Sequence, residues 1–143
     1  MSTISDFVLT ILGGVSIFVL GQIVIKFIVE PLYEQSKAIG QIVDSLIYYI
    51  DAKKGEKFKK INSTEAPIVL RQRASALMEK TYAIPIYELW EYFGIVPERK
   101  SIVEALQELI VLSNGVDNSS LNRIEKIAKY LKIDILSESL NKK

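Results

Sequence analysis

The N-terminal part of the chain is a long stretch of apolar positions with almost no polar interruption. Residues 7–25 (FVLTILGGVSIFVLGQIVI) form an uncharged run of nineteen residues, and Gln22 is its only strongly polar side chain. A helix of this length spans about 28 Å at about 1.5 Å per residue. This is close to the roughly 30 Å thickness of the hydrocarbon core of a bilayer. The run therefore predicts a transmembrane helix within an anchor that comprises residues 1–30.

Two other interpretations of this run are a secretory signal peptide and a buried helix of a soluble protein. A signal peptide has a basic N-terminal region, a shorter apolar core and a small-residue cleavage site. Residues 1–6 (MSTISD) contain no Lys or Arg, and no A-x-A pattern follows the run. A helix of a soluble protein normally has a polar stripe, which the run lacks. The pattern favours an uncleaved membrane helix over both alternatives.

Beyond the run, apolar residues recur at spacings of three and four, which is typical of helices with one buried face. The first such helix is predicted for residues 32–50, where the apolar stripe consists of Ile39, Ile42, Val43, Leu46, Ile47 and Ile50. Capping residues, glycines and prolines bound the other predicted helices, which occupy residues 65–82, 86–93, 98–113 and 119–131.

The predicted fold is all-α, with a single N-terminal transmembrane helix followed by a helical domain of about four helices at residues 31–143. Pro31 is expected to kink the chain at the membrane surface. Gly94 is expected to end the short 86–93 helix as the C′ residue. Residues 52–66 are polar and contain Gly55, and Pro67 follows them. We therefore expect a mobile loop there.

The composition argues against most catalytic and metal chemistries. The chain contains no cysteine and no histidine, which removes thiolate ligands, disulfides and the commonest general base. No glycine-rich phosphate loop, HExxH or GxSxG motif is present. The net charge of +1 provides no overall field for nucleic acid. We therefore expect a protein that is not an enzyme, with no cofactor, no metal and no nucleic-acid partner.

The distribution of basic residues predicts an orientation. All eighteen Lys and Arg residues lie at or after Lys26, and none precedes the apolar run. Because positive charges are retained on the cytoplasmic side, the N-terminus is expected outside and the helical domain in the cytoplasm. The expected location is the inner membrane of a cell, with a single pass.

Several short motifs resemble those of a widespread family of small bacterial membrane proteins with one N-terminal transmembrane helix and a helical cytoplasmic domain. They are Arg71-x-x-Ala74-Ser75-x-Leu77, Ala83-Ile84-Pro85-x-Tyr87, Gly94-x-Val96-Pro97, Ala105-Leu106 with Leu109-Ile110-x-Leu112-Ser113-Asn114, and Leu20-Gly21-Gln22-x-x-x-Lys26 with Glu30-Pro31. The resemblance implies a bacterial membrane protein. It implies no catalytic residue and no established activity.

Small and polar residues within the run suggest that the membrane helix associates with a second copy. Thr10 and Gly14 form a small-xxx-small pair, Gly14 and Gly21 are one heptad apart, and Gln22 could hydrogen-bond across an interface. The alternative is that Gly is simply frequent in membrane helices. The apolar face of residues 32–50 would either extend this contact or pack on its own domain.

Basic and polar residues of the helical domain suggest a site for an anionic nucleotide signal, formed within one subunit or between subunits. The candidates are Arg71, Arg73, Arg99, Lys100, Ser113 and Asn114. The competing interpretation is that these side chains form salt bridges with Glu79, Glu98 or Glu104 and cap helices. The sequence favours salt bridges and helix capping over a ligand site for these residues.

Aromatic residues gather around Pro85, and the simplest expectation is a buried aromatic cluster in the core. The cluster consists of Tyr82, Tyr87, Trp90, Tyr92 and Phe93. A groove for a partner or an aromatic belt at the membrane interface is the alternative.

The sequence thus favours a membrane-anchored, non-enzymatic module that forms homo-oligomers and presents its helical domain to a protein partner. The alternative function is a defence-type membrane effector. In that case the domain would bind a nucleotide second messenger and rearrange the associated membrane helices.

Overall fold

A computed structural model describes residues 2–54, 65–114 and 120–133 of the chain. The described residues are helical apart from turns, and they contain no strand. The helices are α1 (Ser2–Val24), a π-helical segment (Ile25–Val29), α2 (Glu30–Lys54), α3 (Glu65–Ala83), α4 (Tyr87–Tyr92), α5 (Arg99–Asn114) and α6 (Ser120–Tyr130). The all-α prediction is confirmed, with a long N-terminal helix followed by several shorter ones.

The first two helices and the π-helical segment form one continuous rod, Thr3–Ile50, of 48 residues. At about 1.5 Å per residue the rod is about 72 Å long. It is the one helix among the described residues that is long and apolar enough to cross a membrane. None of the side chains from Thr3 to Phe27 is buried within the chain.

The rod passes through Pro31 as a helix and is widened on the N-terminal side of the proline. Pro has no N–H and its ring collides with the carbonyl four residues earlier, which would be that of Phe27. In the π-helical segment the N–H of Glu30 donates to the carbonyl of Ile25, five residues back. This extra residue in the turn moves the carbonyls relative to the proline ring. Where the sequence predicts a kink at Pro31, the structure thus has a continuous helix with a widened turn before the proline.

The remaining helices pack as an antiparallel bundle on α2. Helix α2 packs on α3, α3 on α5, and α5 on α6. Gln41 of α2 contacts Arg73 of α3, whereas Gln35 contacts Thr81, so these two helices run in opposite directions. Helices α3 and α5 are antiparallel as well, because residue 71 meets residues 113–114 and residue 82 meets residue 99.

One apolar core joins α2, α3, α5 and α6. Its completely buried members include Ile42, Leu46, Leu77, Leu109 and Ile124. The face of α2 that contains Ile42 and Leu46 is covered by α3. This face packs on its own domain, and it is not left open to continue an association of the membrane helix.

The structure can also be compared with the sequence predictions for the end of the short helix α4 and for the loop at residues 52–66. Gly94 follows α4 at φ +71°, as expected for a C′ glycine. Residues 52–54 and 65–66, which were assigned to the mobile loop, have helical backbone. The rest of that predicted loop lies outside the described residues.

Candidate functional site

The small residues of α1 lie on one face of the rod. At about 100° per residue, Thr10, Gly14 and Gly21 fall within about 40° of one another around the helix axis. A Cβ atom added to Gly14 or Gly21 would meet no atom within 4 Å. The Thr10 hydroxyl donates to the carbonyl of Asp6 at 2.8 Å, so it is satisfied within the helix. The three residues form a flat, open stripe, which we call the small-residue face.

Gln22 does not belong to the small-residue face. It is one residue beyond Gly21 and therefore lies about 100° further round the helix. Its side chain is exposed in the single chain. Of the four residues expected to mediate association, helix geometry thus groups three and separates Gln22.

Arg71 is brought together with two of the other predicted ligand-binding residues. Its Nε donates to the hydroxyl of Ser113 at 3.1 Å, and its Nη2 donates to the side-chain oxygen of Asn114. The Ser113 hydroxyl in turn donates to the carbonyl of Ile110 at 2.6 Å. The contacts join α3 to the C-terminal end of α5. Within the part of the chain that the structure describes, hydrogen bonds to neutral groups hold this arginine, and no salt bridge to it is found.

A shallow groove of about 280 Å³ opens beside Arg71 between α3 and α5. Apart from the arginine and Ser75, its walls are apolar. They consist of Ala74, Met78, Leu106 and Ile110. The groove therefore combines one cationic group with an apolar floor.

The remaining basic candidates lie elsewhere. The Nη1 of Arg73 donates to the side-chain oxygen of Gln41 at 2.6 Å, on the face of α3 that packs on α2. Arg99 and Lys100 are in the first turn of α5, whereas Ser113 is in its last. Fourteen residues separate Arg99 from Ser113, which corresponds to about 21 Å along the axis. One subunit therefore cannot place all six predicted residues around one ligand.

Arg99 is held by aromatic rings and acidic groups. Its guanidinium carbon lies 4.9 Å from the ring centroid of Tyr87 and 5.6 Å from that of Tyr82, a geometry that stabilises a cation over aromatic faces. An Nη atom lies 3.4 Å from a carboxylate oxygen of Glu88. The backbone N–H of Arg99 donates to the carboxylate of Glu91 at 3.2 Å. These contacts support the structural interpretation of Arg99 over the ligand-binding one.

A buried polar network at the same end of the bundle was not predicted. The side-chain amide of Gln35, which is 1% exposed, donates to the hydroxyls of Thr81 at 3.0 Å and Tyr87 at 3.2 Å. Thr81 donates to the carbonyl of Leu77 at 2.8 Å, and Tyr87 to that of Pro97 at 2.7 Å. The Gln35 amide thus joins α2, α3 and α4, and Tyr87 extends the network to the segment just before α5.

The sequence contained a signal for this network. Gln35 lies seven residues before Ile42 and four before Ile39, so it continues the three-and-four spacing of the α2 stripe. A polar residue on an apolar stripe must be paired when it is buried. The phenol of Tyr87 is affected by the same environment: burial raises the pKa of Tyr87 above its ordinary value, against a smaller opposing effect of the Gln35 hydrogen bond.

The prediction of a buried aromatic cluster is wrong for most of its members. Tyr87 is buried and Trp90 is half-buried, but Tyr82, Tyr92 and Phe93 are exposed. The helix α4 has only six residues, so it has one narrow inward face. That face is filled by Tyr87, whereas Tyr92 and, just beyond the helix, Phe93 are left outside.

Comparison with protein-family models, curated proteins and solved structures finds no significant match to this chain. Within the described residues, no group of three or more acidic side chains is placed to hold a metal ion. Any assignment of function consequently depends on the rod, the small-residue face and the arginine contacts.

Proposed function

We propose that this protein is a single-pass, non-enzymatic membrane module whose N-terminal helix associates with other copies and presents a rigid helical domain to a protein partner. The proposed location is the inner membrane of a bacterium, with the N-terminus outside and the helical domain in the cytoplasm. Membrane lipid is then the environment of α1. No cofactor enters the proposal.

The observation that carries the proposal is the continuous rod. Its first half is apolar and has no buried side chain, whereas its second half contributes Ile42 and Leu46 to the core of the domain. Apolar surface that nothing covers in water is unfavourable by about 25 cal/mol per Å². Residence among lipid tails removes this cost for α1. A domain built onto the same helix is then held at a fixed rotation and height above the membrane.

The orientation is supported by the charges that flank the rod. Lys26 is the first basic residue of the chain, and every other one follows it. A long lysine side chain can extend to the headgroups while its helix position remains in the hydrocarbon layer. This distribution of charge supports the proposed cytoplasmic side for the domain.

The small-residue face supports self-association through α1, because small residues let helix backbones approach closely in lipid. Gly14→Leu should convert an associating chain into a monomer. Gly13→Leu is the matched control, since the same side chain is added one residue earlier and about 100° round the helix. The measurement is the mass of the full chain in detergent micelles by analytical ultracentrifugation.

Three results of this measurement are informative. An oligomer that Gly14→Leu dissociates and Gly13→Leu preserves supports the proposed face. A parental chain that is already monomeric over the full accessible concentration range contradicts association. Dissociation by Gly13→Leu alone contradicts the assignment of the face while leaving association itself intact.

The groove beside Arg71 favours a second candidate function, in which the domain binds an anionic nucleotide signal and transmits the binding to α1 through the rod. Arg71, Ser113 and Asn114 would form the polar side of that site. Met78 and Ile110 would contact the base. Arg73, Arg99 and Lys100 lie outside this version of the site.

Thermal shift of the full chain in micelles, with cyclic mononucleotides and dinucleotides as probes, tests the second candidate. A stabilising shift that Arg71→Gln abolishes and Lys100→Gln preserves would support it. Lys100 is the control because it is exposed at the opposite end of α5. Absence of a shift with every probe favours the partner-presenting module.

A further inference from the structure

An exposed apolar surface surrounds α4. It consists of Ile86, Leu89, Tyr92, Phe93 and Ile95, which we call the α4 surface. Tyr92 is 85% exposed and Ile86 is 70% exposed. The rings of Tyr92 and Phe93 pack edge to face with centroids 5.6 Å apart. Clustered apolar side chains of this kind mark interaction sites on proteins.

The α4 surface lies at one particular end of the bundle. Helices α3 and α5 are antiparallel, so the segment that connects them, which contains α4, is found where α3 ends and α5 begins. Tyr87 at the start of α4 contacts Gln35, and Gln35 is in the first part of α2. The α4 surface is therefore at the end of the domain that is nearest to α1.

The distance from this end to the apolar run is short. Ten residues separate Ile25 from Gln35, which corresponds to about 15 Å of helix. A helix with its side chains is about 10 Å across, and Tyr87 of α4 contacts Gln35, so α4 side chains that extend toward α1 would cross most of that interval. The headgroup layer is about 5–8 Å thick on each side of the hydrocarbon core. Exposed side chains of α4 that extend toward α1 would thus reach the height of the headgroups.

The chemistry of the surface fits that layer. Tyr and other amphipathic aromatic side chains concentrate where hydrocarbon meets headgroups. The nearby charges are of both signs, since Arg99 pairs with Glu88. The surface therefore offers no net positive charge that would require anionic lipid, and its apolar area provides the driving force.

The backbone of Ile86 is a further observation. This β-branched residue adopts φ +50° in the left-handed region, which is unfavourable for such a side chain. Its side chain is exposed, so burial in the core does not account for the conformation. Strained backbone of this kind is found preferentially at binding sites.

We propose that the α4 surface inserts into the headgroup layer of the same membrane that α1 crosses, and so provides a second attachment of the domain. This inference rests on the proposed membrane anchoring. Its occupant is lipid at the boundary of headgroups and acyl chains. Tyr33 is exposed on α2 between α1 and Gln35, about 12 Å of helix beyond Ile25 and so a few ångström outside the headgroup layer.

The single tryptophan of the chain is a built-in probe of this contact. Trp90 belongs to α4, and its indole N–H donates to the carbonyl of Pro85 at 3.0 Å. The full chain is placed in phosphatidylcholine nanodiscs that hold one copy each, with a doxyl quencher at acyl position 5 or at position 16. We expect stronger quenching of Trp90 by the shallow label than by the deep one.

A double variant and a matched control complete the experiment. Tyr92→Ser with Phe93→Ser should abolish the excess quenching by the shallow label. Ile68→Ser with Val111→Ser removes exposed apolar side chains at the opposite end of the bundle and should preserve it. Circular dichroism checks whether the double variant folds. If it does not fold, the comparison of the shallow and deep labels in the parental chain tests the proposal by itself.

Other results overturn the inference in distinguishable ways. Equal quenching by both labels, in a chain that remains in the nanodisc, overturns the contact and leaves the anchor intact. A chain that does not incorporate into nanodiscs and stays soluble without detergent overturns the anchor and the contact together. A lower micellar mass of the Tyr92/Phe93 variant, with unchanged quenching, assigns the surface to a second copy and overturns the lipid contact.

Discussion

At the scale of single residues, Gln35 of α2 connects three helices, because its side-chain amide donates hydrogen bonds to α3 and α4 at once. Gln35→Leu removes both donors without leaving a large cavity. We expect it to lower the free energy of unfolding by about 1–3 kcal/mol, since the buried hydroxyls of Thr81 and Tyr87 each lose a partner. Denaturant titration of the full chain in micelles, followed by circular dichroism, measures the change.

Gln72→Leu is the control for this experiment, because Gln72 is exposed on α3 and its replacement should alter stability by less than about 0.5 kcal/mol. Equal midpoints for the two variants would contradict the importance of the buried network.

Tyr87 predicts a dependence of stability on pH. Burial raises the pKa of its phenol in the folded state, whereas the unfolded chain keeps a value of about 10. The contribution of this neutral buried phenol is fully present below the unfolded pKa. It is lost as the pH rises above about 10 and through the folded pKa, because only the unfolded state then ionises readily.

Tyr87→Phe should therefore weaken the fall in stability above about pH 10, although it also removes the hydrogen bond to Pro97. Tyr92→Phe should preserve the fall, since Tyr92 is exposed. Unfolding midpoints of the three chains at pH 8 and pH 11 provide the comparison. Parallel pH curves for the parental chain and Tyr87→Phe would assign the alkaline loss to other groups.

Single-residue roles were the least predictable part of the molecule. The structure brings Arg71 together with Ser113 and Asn114, and the ligand-binding role expected of them stays a prediction. Arg99 was assigned to the same ligand, although it lies at the other end of α5. Which helices lie side by side decides such groupings, and one sequence does not contain that information.

At the scale of elements, two glycines outside α1 should respond oppositely to alanine. Gly40 lies inside α2, where an added Cβ would meet nothing within 4 Å. Gly40→Ala should stabilise the chain by about 0.5–1 kcal/mol, because Gly is a poor helix former.

Gly94→Ala should instead destabilise the chain by about 1 kcal/mol, although space is also available there, because φ is +71°. Thermal midpoints in micelles distinguish the two cases. A shift of the same sign for both variants would show that free space, and not backbone conformation, determines the response.

Helix positions were predicted closely, because periodicity and caps are local properties. Predicted ends at Tyr82, Ser113 and Leu131 are each within one residue of the ends of α3, α5 and α6. The π-helical segment was not predicted. Pro31 indicated a disturbance, but whether a helix bends, stops or widens at a proline depends on what packs on either side.

At the scale of the whole molecule, α1 lies outside the packed helical domain. This predicts that α1, and not the domain, mediates self-association of the chain. The apolar face of α2 is already covered by α3. A chain of residues 30–143, without the apolar run, should therefore be monomeric in solution, whereas the full chain associates in micelles. Sedimentation equilibrium of both chains makes the comparison.

A control for the shorter chain carries Tyr92→Ser and Phe93→Ser, which reduces the apolar area of the α4 surface. A dimer of residues 30–143 that persists in this control would place association in the domain and contradict the role of the small-residue face.

The separation into an apolar rod and a helical bundle could be predicted because both follow from hydropathy patterns. The outward position of the α4 surface could not be predicted. Tyr92 and Phe93 are aromatic residues of the kind that usually lie in a core, and they are exposed only because α4 is short. In membrane proteins generally, an apolar side chain can face lipid as well as the core or water. Hydropathy alone does not distinguish a lipid-facing side chain from a core side chain.

The extra residue in the turn at Ile25–Val29 has a geometric consequence for any assembly of this protein. Each added or removed residue in a helix turns everything beyond it by about 100°. The widened turn therefore contributes to the rotational orientation of the bundle relative to the small-residue face of α1. A one-residue deletion there would change that orientation while leaving α1 and the bundle intact.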